Sequence, residues 1–269
     1  MLPSHQSVSV QNGRCHIVYH RACKILQQMK NKGDASLKKK NNIQDRWILI
    51  LGAAGFALTA LFMMNGSLER FDLMIQAGVL QGRTPALTAL MIPLTYSGNW
   101  QAVTTLCLVL LLIPRTRRAY GAPLTMAALS AVLFYQILKH LFSRIRPDAS
   151  LHLLEQGGYS FPSGHSLTGF LVWGTMILLL LYYYGTEGAR LPLFKKEASA
   201  VPFIRSERRL KIVCGLLFLY IGLMGFSRIY VGVHWPSDVM GSWFLALPIL
   251  VMLKKIIWKQ YASDDPPEK

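Results

Sequence analysis

The chain has 269 residues, of which 52% are hydrophobic and only 16% charged, with a formal net charge of +16. A soluble globule carries charge on about a quarter of its residues, so this balance excludes an ordinary water-soluble domain. The surplus Lys and Arg residues lie between apolar blocks, which argues against nucleic acid as the partner and for a lipid bilayer.

Residues 1–46 are polar and basic, with no apolar core followed by small residues. They read as a mobile cytoplasmic tail around a short helix near 17–30, not as a cleavable signal peptide. Six apolar blocks then read as spanning helices, at about 47–65, 99–113, 121–142, 164–184, 211–227 and 237–258. The second is short at its core. Between the first two, residues 66–98 mix Arg70, Asp72, Arg83 and Pro85 with apolar residues and read as one or two amphipathic helices lying at the interface. Residues 47–258 thus form one six-helix membrane domain, with any site in a core of about 121–245, and residues 259–269 form a disordered tail. The fold class is all-α, integral membrane. Cys15, Cys23, Cys107 and Cys214 have no CxxC spacing, so no disulfide framework or zinc site is indicated.

Orientation follows from the basic residues. With the N-terminus inside, 23 of the 29 Lys and Arg residues fall in the tail to Arg46, in 114–120, in 185–211 and after 253. The other side keeps six: Arg70, Arg83, Lys139, Arg144, Arg146 and Arg228. This bias puts both termini in the cytoplasm and the protein in the plasma (inner) membrane.

Three polar clusters stand where apolar blocks end, all on the extracytoplasmic side. The first runs from Lys139 to Arg146-Pro147. The cations are seven apart, two turns on one side of a helix, and Pro147 disfavours helix at Arg146, so the chain turns there. The second is Pro162-Ser163-Gly164-His165. Ser163 is a good N-cap, Gly164 admits an anion close to the backbone, and a helix start favours negative charge. The third holds Ser227-Arg228, His234 and Asp238. Four residues separate His234 from Asp238, so the carboxylate can reach one ring nitrogen and leave the other as a nucleophile. Arg144 is a candidate for headgroup contact. His140 and His152 lie near the clusters without occupying a position in them.

Together the clusters read K139-HLFSRI-R146-P147, P162-S163-G164-H165 and S227-R228-IYVGV-H234-WPS-D238. The chain resembles the type 2 phosphatidic acid phosphatase (PAP2) superfamily, whose members share a phosphate site with vanadium haloperoxidases. The resemblance covers about 90–258 and matches every motif position; the long stretch between the second and third clusters departs from the usual pattern. It implies a PAP2/haloperoxidase-like helical core. It also implies that His234 attacks phosphorus, Asp238 orients it, and His165 protonates the leaving oxygen and then activates water. Lys139, Arg146 and Arg228, with Ser163 and the Gly164 amide, would bind the phosphoryl oxygens. No metal or other cofactor is implied.

The expected activity is hydrolysis of a lipid phosphate or pyrophosphate that enters sideways from the bilayer, with undecaprenyl pyrophosphate favoured. Phosphatidylglycerol phosphate, phosphatidic acid and diacylglycerol pyrophosphate are alternatives, as is transfer of the phosphoryl group to an acceptor. A soluble-type peroxidase and a non-enzymatic lipid binder fit less well, since the chain is apolar and no motif residue is lost. Nothing in the sequence sets an oligomeric state.

Overall fold

A computed structural model describes residues 42–186 and 206–263. The N-terminal tail with its helix near 17–30, most of the basic loop 185–211 and the end of the tail 259–269 lie outside them. The chain divides after Trp47, and the helix packing is that of Ile48–Lys269.

Among the described residues every regular element is helical. In chain order these are α1 (Asn42–Met64), α2 (Glu69–Gln81), α3 (Pro85–Tyr96), α4 (Trp100–Leu112), α5 (Pro114–Phe142, with a π turn at Arg117–Gly121), α6 (Gly164–Thr186), α7 (Glu207–Tyr230) and α8 (Pro236–Ser263). Five of them, α1, α5, α6, α7 and α8, are long and apolar enough to cross a membrane. The expected second span corresponds to α4, whose 13 residues extend about 20 Å, short of the roughly 30 Å hydrocarbon layer. Segment 66–98 contains two helices of different character. Glu69, Arg70 and Asp72 open α2, whereas α3 holds no charged residue.

Local chemistry sets several helix ends. Thr84 accepts the Leu87 N–H at 3.2 Å ahead of Pro85, a residue suited to a first helical turn. Ser206 caps α7 in the same way through Arg209, so this helix begins four residues before the expected 211. α5 stops at Phe142 because Ser143 turns left-handed at φ 46°, its N–H returning to the Lys139 carbonyl at 2.9 Å. Arg146 is therefore not on the helix with Lys139. The two-turn register expected for the pair does not exist, and the chain reaches the site by turning ahead of Pro147.

α6 is the packing centre. Its Leu167, Leu171 and Leu179 are fully buried against Leu124, Ala127 and Ala131 of α5 and Ala246 and Ile249 of α8. Alanines four apart on α5 lie on one face and let the helices approach closely. Arg83, in the α2–α3 link, clamps the C-terminal end of α7. Its guanidinium donates to the Tyr230 carbonyl at 2.6 and 2.9 Å and to the Leu151 carbonyl at 2.8 Å, and lies 5.8 Å above the Tyr230 ring. A cation is favoured where helix carbonyls end unpaired.

The link from α7 to His234 turns at Gly232, with φ +81°, where an added Cβ would collide with the Leu151 carbonyl. Gly232→Ala combines a left-handed strain with that collision. A loss of about 2–4 kcal/mol is expected, read as a drop of several degrees in the melting temperature of the detergent-solubilised protein.

Candidate active site

Four helix ends and one loop meet at one end of the bundle. Lys139 stands in the last turn of α5 and Arg228 in the last turn of α7; His165 opens α6 and Asp238 lies in the first turn of α8. The loop after α5 brings Arg146. A cavity of about 680 Å³ opens here, lined by Lys139, Arg146, Gly164, His165 and His234. It continues between α4 and α5 along Val103, Cys107, Leu108, Leu111, Leu129 and Val132 as an apolar slot. Ser163, Arg228 and Asp238 sit behind its wall, 0–2% exposed.

His234 is held from both sides. Its Nδ1 faces Asp238 Oδ2 at 3.2 Å, and its Nε2 faces Arg146 Nη1 at 3.2 Å. A guanidinium only donates, so Nε2 carries a lone pair and the ring proton resides on Nδ1, toward Asp238. The spacing works because α8 begins at Pro236, which places Asp238 at its third position. There the carboxylate also accepts the Trp235 N–H at 2.9 Å, half of a capping box. Burial, followed by the charges of Arg146, Arg228 and Lys139, holds the His234 pKa well below the ordinary 6.5 of histidine. The ring stays neutral and its lone pair available.

The cations are fixed in different ways. Arg146 grips the loop, with its Nε and Nη2 donating to the carbonyls of Gly157, Gly158 and Tyr159 at 2.9–3.2 Å and its Nη1 to Val233 at 2.7 Å. Burial lowers its pKa to about 10, opposed by Asp238, so it remains charged at neutral pH. Arg228, 2% exposed, donates to Thr95 Oγ1 at 2.5 Å and Gln156 Oε1 at 2.8 Å, while its Nε has no partner. Lys139 lies 5.5 Å above the Tyr135 ring. Ser163 Oγ accepts the Ser166 backbone N–H at 3.4 Å, the N-cap bond, and the Ser166 hydroxyl at 2.9 Å.

Several participants were not named from sequence. Asn99, ahead of α4, places Oδ1 2.7 Å from His165 Nε2, and neighbouring Gly98 makes room, since a Cβ there would come within 3.1 Å of the His165 ring. Gln156 and Thr95 hold Arg228. Arg144 does not point outward to a headgroup: it donates to Asp72 Oδ2 at 2.6 Å and Asp238 Oδ1 at 2.5 Å. Asp72 and Arg144 were visible as charges beside apolar stretches, and such residues usually face a partner or a site. His140 stacks edge-on with Tyr159 at the cavity lip, and His152 Nε2 lies 3.0 Å from the Pro147 carbonyl.

Residues 119–262 match the family model of the PAP2 superfamily. The chain belongs to this superfamily. Two curated PAP2 relatives are 29% identical to it. Phosphatidylglycerophosphatase B of Bacillus subtilis aligns over 122 residues, 45% of this chain and 50% of that one. Undecaprenyl-diphosphatase of Sulfolobus acidocaldarius aligns over 167 residues, 59% of this chain and 65% of that one. The chain thus spans between half and just under two thirds of the length of these relatives. Among solved structures, the transmembrane PAP2-type phosphatidylglycerolphosphate phosphatase of Bacillus subtilis superposes with a TM-score of 0.62 at 22% identity, covering 78% of this chain and 98% of the other. LpxE of Aquifex aeolicus gives 0.50 at 22% identity, over 70% and 95%. These two likenesses show a shared PAP2 membrane fold.

The state of His234 carries a pH consequence. The unfolded chain takes up a proton at this ring as pH falls through 6.5 and the folded protein does not, so acidification there favours unfolding. Nitrogen-15 NMR of histidine-labelled protein in micelles should find the His234 ring still neutral at pH 6. The melting temperature should fall with pH below 6.5, and His234→Asn should remove part of that slope.

Proposed function

We propose that this protein is a metal-independent lipid phosphatase working through a phosphohistidine on a membrane-embedded phosphate or pyrophosphate, with undecaprenyl pyrophosphate as the first substrate to test. One observation carries the reading. The unprotonated Nε2 of His234 faces a guanidinium inside a polar cavity that also holds His165 and Lys139 and opens into an apolar slot. Polar headgroup and apolar tail are thereby accommodated in one continuous space.

The chemistry follows from the placement. The Nε2 lone pair of His234 forms the N–P bond as the P–O bond to the lipid breaks. His165, oriented by the contact of its Nε2 with Asn99 Oδ1, gives a proton to the departing oxygen. His165 then takes a proton from water, whose oxygen bonds to phosphorus as N–P breaks, releasing inorganic phosphate and restoring His234. Lys139, Arg146 and Arg228 balance charge on the phosphoryl oxygens, the work a metal ion does in other phosphatases. The Gly164 amide, at the start of α6, adds the positive end of a helix dipole, with Ser163 holding that start in place.

The same placement supports six crossings with the site outside. α4 begins beside His165 and ends where α5 begins, so it returns the chain across the layer despite its length. The described basic residues Arg115, Arg117, Arg118, Arg208, Arg209, Lys254 and Lys255 lie at the ends of α5, α7 and α8 opposite the site. A positive-inside bias then supports termini in the cytoplasm and a site at the extracytoplasmic face of the plasma membrane, with α2 and α3 at the interface beside it. On the same reading the membrane domain is taken as 47–258, with a site-bearing core of about 121–245.

Phosphate release from undecaprenyl pyrophosphate, phosphatidylglycerol phosphate, phosphatidic acid and diacylglycerol pyrophosphate in micelles tests the reading. At least one should turn over, and inertness toward all four sinks it. His234→Ala should lower turnover by about 10⁴-fold or more while the protein still inserts and melts normally. EDTA should leave the rate unchanged; a strict need for added Mg²⁺ would remove the metal-independent mechanism.

A further inference from the structure

Behind the nucleophile lies a chain of charge that the phosphate chemistry does not itself require. Asp72, on α2, is 1% exposed and accepts three hydrogen bonds: Arg144 Nη2 at 2.6 Å, the Ser237 N–H at 2.8 Å and the Ser237 hydroxyl at 2.6 Å. Arg144 donates with its other terminal nitrogen to Ser237 Oγ at 2.8 Å and to Asp238 Oδ1 at 2.5 Å. Its guanidinium lies 5.7 Å above the Trp235 ring, whose Nε1 donates to the Ile145 carbonyl beside it at 3.0 Å. Asp238, 0% exposed, gives its second oxygen to the Trp235 N–H and His234 Nδ1. The order is carboxylate, guanidinium, carboxylate, imidazole.

We propose that Asp72 and Arg144 are positioning residues for the nucleophile: Arg144 fixes the Asp238 carboxylate against His234, and Asp72 fixes Arg144 while returning a net negative charge to the group. The inference rests on the phosphatase reading of the site. Arg144 and Asp238 alone would form a neutral pair, and a neutral pair does little for a positive ring. With Asp72 the formal charge of the three is −1. When His234 bonds to phosphorus through Nε2, its Nδ1–H ring becomes cationic, and this residual negative charge lies directly behind it. Asp72 also accepts the Ser237 N–H at the start of α8, so a single carboxylate sets both the guanidinium and the helix end that bears Asp238. None of the three phosphate cations bonds to Asp72 in this arrangement, which separates the role from substrate binding.

The test is a set of full-length variants in micelles, Asp72→Asn, Arg144→Gln, Arg144→Lys and the Asp72→Asn/Arg144→Gln pair, assayed on whichever of the four lipids the wild type hydrolyses. Asp72→Asn should lower kcat roughly 10–100-fold, as loss of an outer partner does at other sites. The apparent KM and inhibition by inorganic phosphate should stay within about threefold, since Lys139, Arg146 and Arg228 are untouched. Arg144→Lys should recover part of what Arg144→Gln loses. In the paired variant the two losses should not multiply, because Asp72 acts through Arg144. Nitrogen-15 spectra should show His234 with its proton on Nδ1 in the wild type and divided between the two nitrogens in Arg144→Gln, a readout that needs no turnover and no folded Asp72→Asn. An unchanged kcat in Asp72→Asn, multiplying losses, or an unchanged His234 tautomer in Arg144→Gln overturns the proposal. A wild type inert toward every lipid, with the tautomer still responding to Arg144→Gln, overturns the phosphatase reading instead and leaves the positioning role standing.

Discussion

A buried carboxylate organises the site end of this bundle. Asp238 is 0% exposed, and an unpartnered ion at such a position would cost several kcal/mol in lost hydration. Its partners come from separate parts of the chain: the Trp235 amide next to it, Arg144 from the loop after α5, and the ring of His234. Arg144 in turn recruits Asp72 from α2. Loop, α2 and the start of α8 are joined because each satisfies a group that the others leave buried. Removing one partner of such a set typically destabilises by about 3–5 kcal/mol, so the network holds its own geometry.

The helix directions make the remaining charges easier to place. Lys139 and Arg228 stand at C-terminal ends, where carbonyl dipoles favour cations, and His165 stands at an N-terminal start, where amide dipoles favour a phosphate. The start of α8 is different, because Asp72 and Asp238 already take its free amides. Of the starts of α6 and α8, that of α6 faces the cavity, with Gly164 and His165 in its lining. On the proposed phosphatase reading, this favours a phosphate next to His165 and in front of His234.

Local features of this arrangement were legible in the sequence and distant ones were not. The pair His234 and Asp238 is separated by four residues, and Pro236 starts the helix between them, so their contact depends on little else. Pro147 announced the turn that brings Arg146 inward. The register expected between Lys139 and Arg146 failed because a left-handed Ser143, a residue without a strong preference for that conformation, ends α5 early. Asp72 with Arg144, Asn99 with His165 and Thr95 with Arg228 are pairs 72, 66 and 133 positions apart. They exist because α2, α3 and the start of α4 come to the site ends of α6, α7 and α8, and the apolar pattern of 66–98 does not reveal where those helices rest. The same limit applied to α4, whose hydropathy marks a membrane segment while its 13 helical residues fall short of the expected span.

The formal charges close on the substrate that the reading requires. Lys139, Arg146, Arg228 and Arg144 against Asp72 and Asp238 leave two positive charges around the cavity, which a phosphoryl dianion neutralises. In a low dielectric this match favours an entering dianion over a neutral or singly charged headgroup. Groups beyond the terminal phosphate meet different surroundings. Besides Lys139 and Arg146, the described lining of the cavity includes Gln136, His140, Gln156 and Tyr159, two amides, an imidazole and a phenol. On the proposed phosphatase reading, the cations act on the terminal phosphoryl group, whether ester or anhydride. On that reading, discrimination among lipids falls to the slot between α4 and α5, which is lined by Leu108, Leu111, Leu129 and Val132.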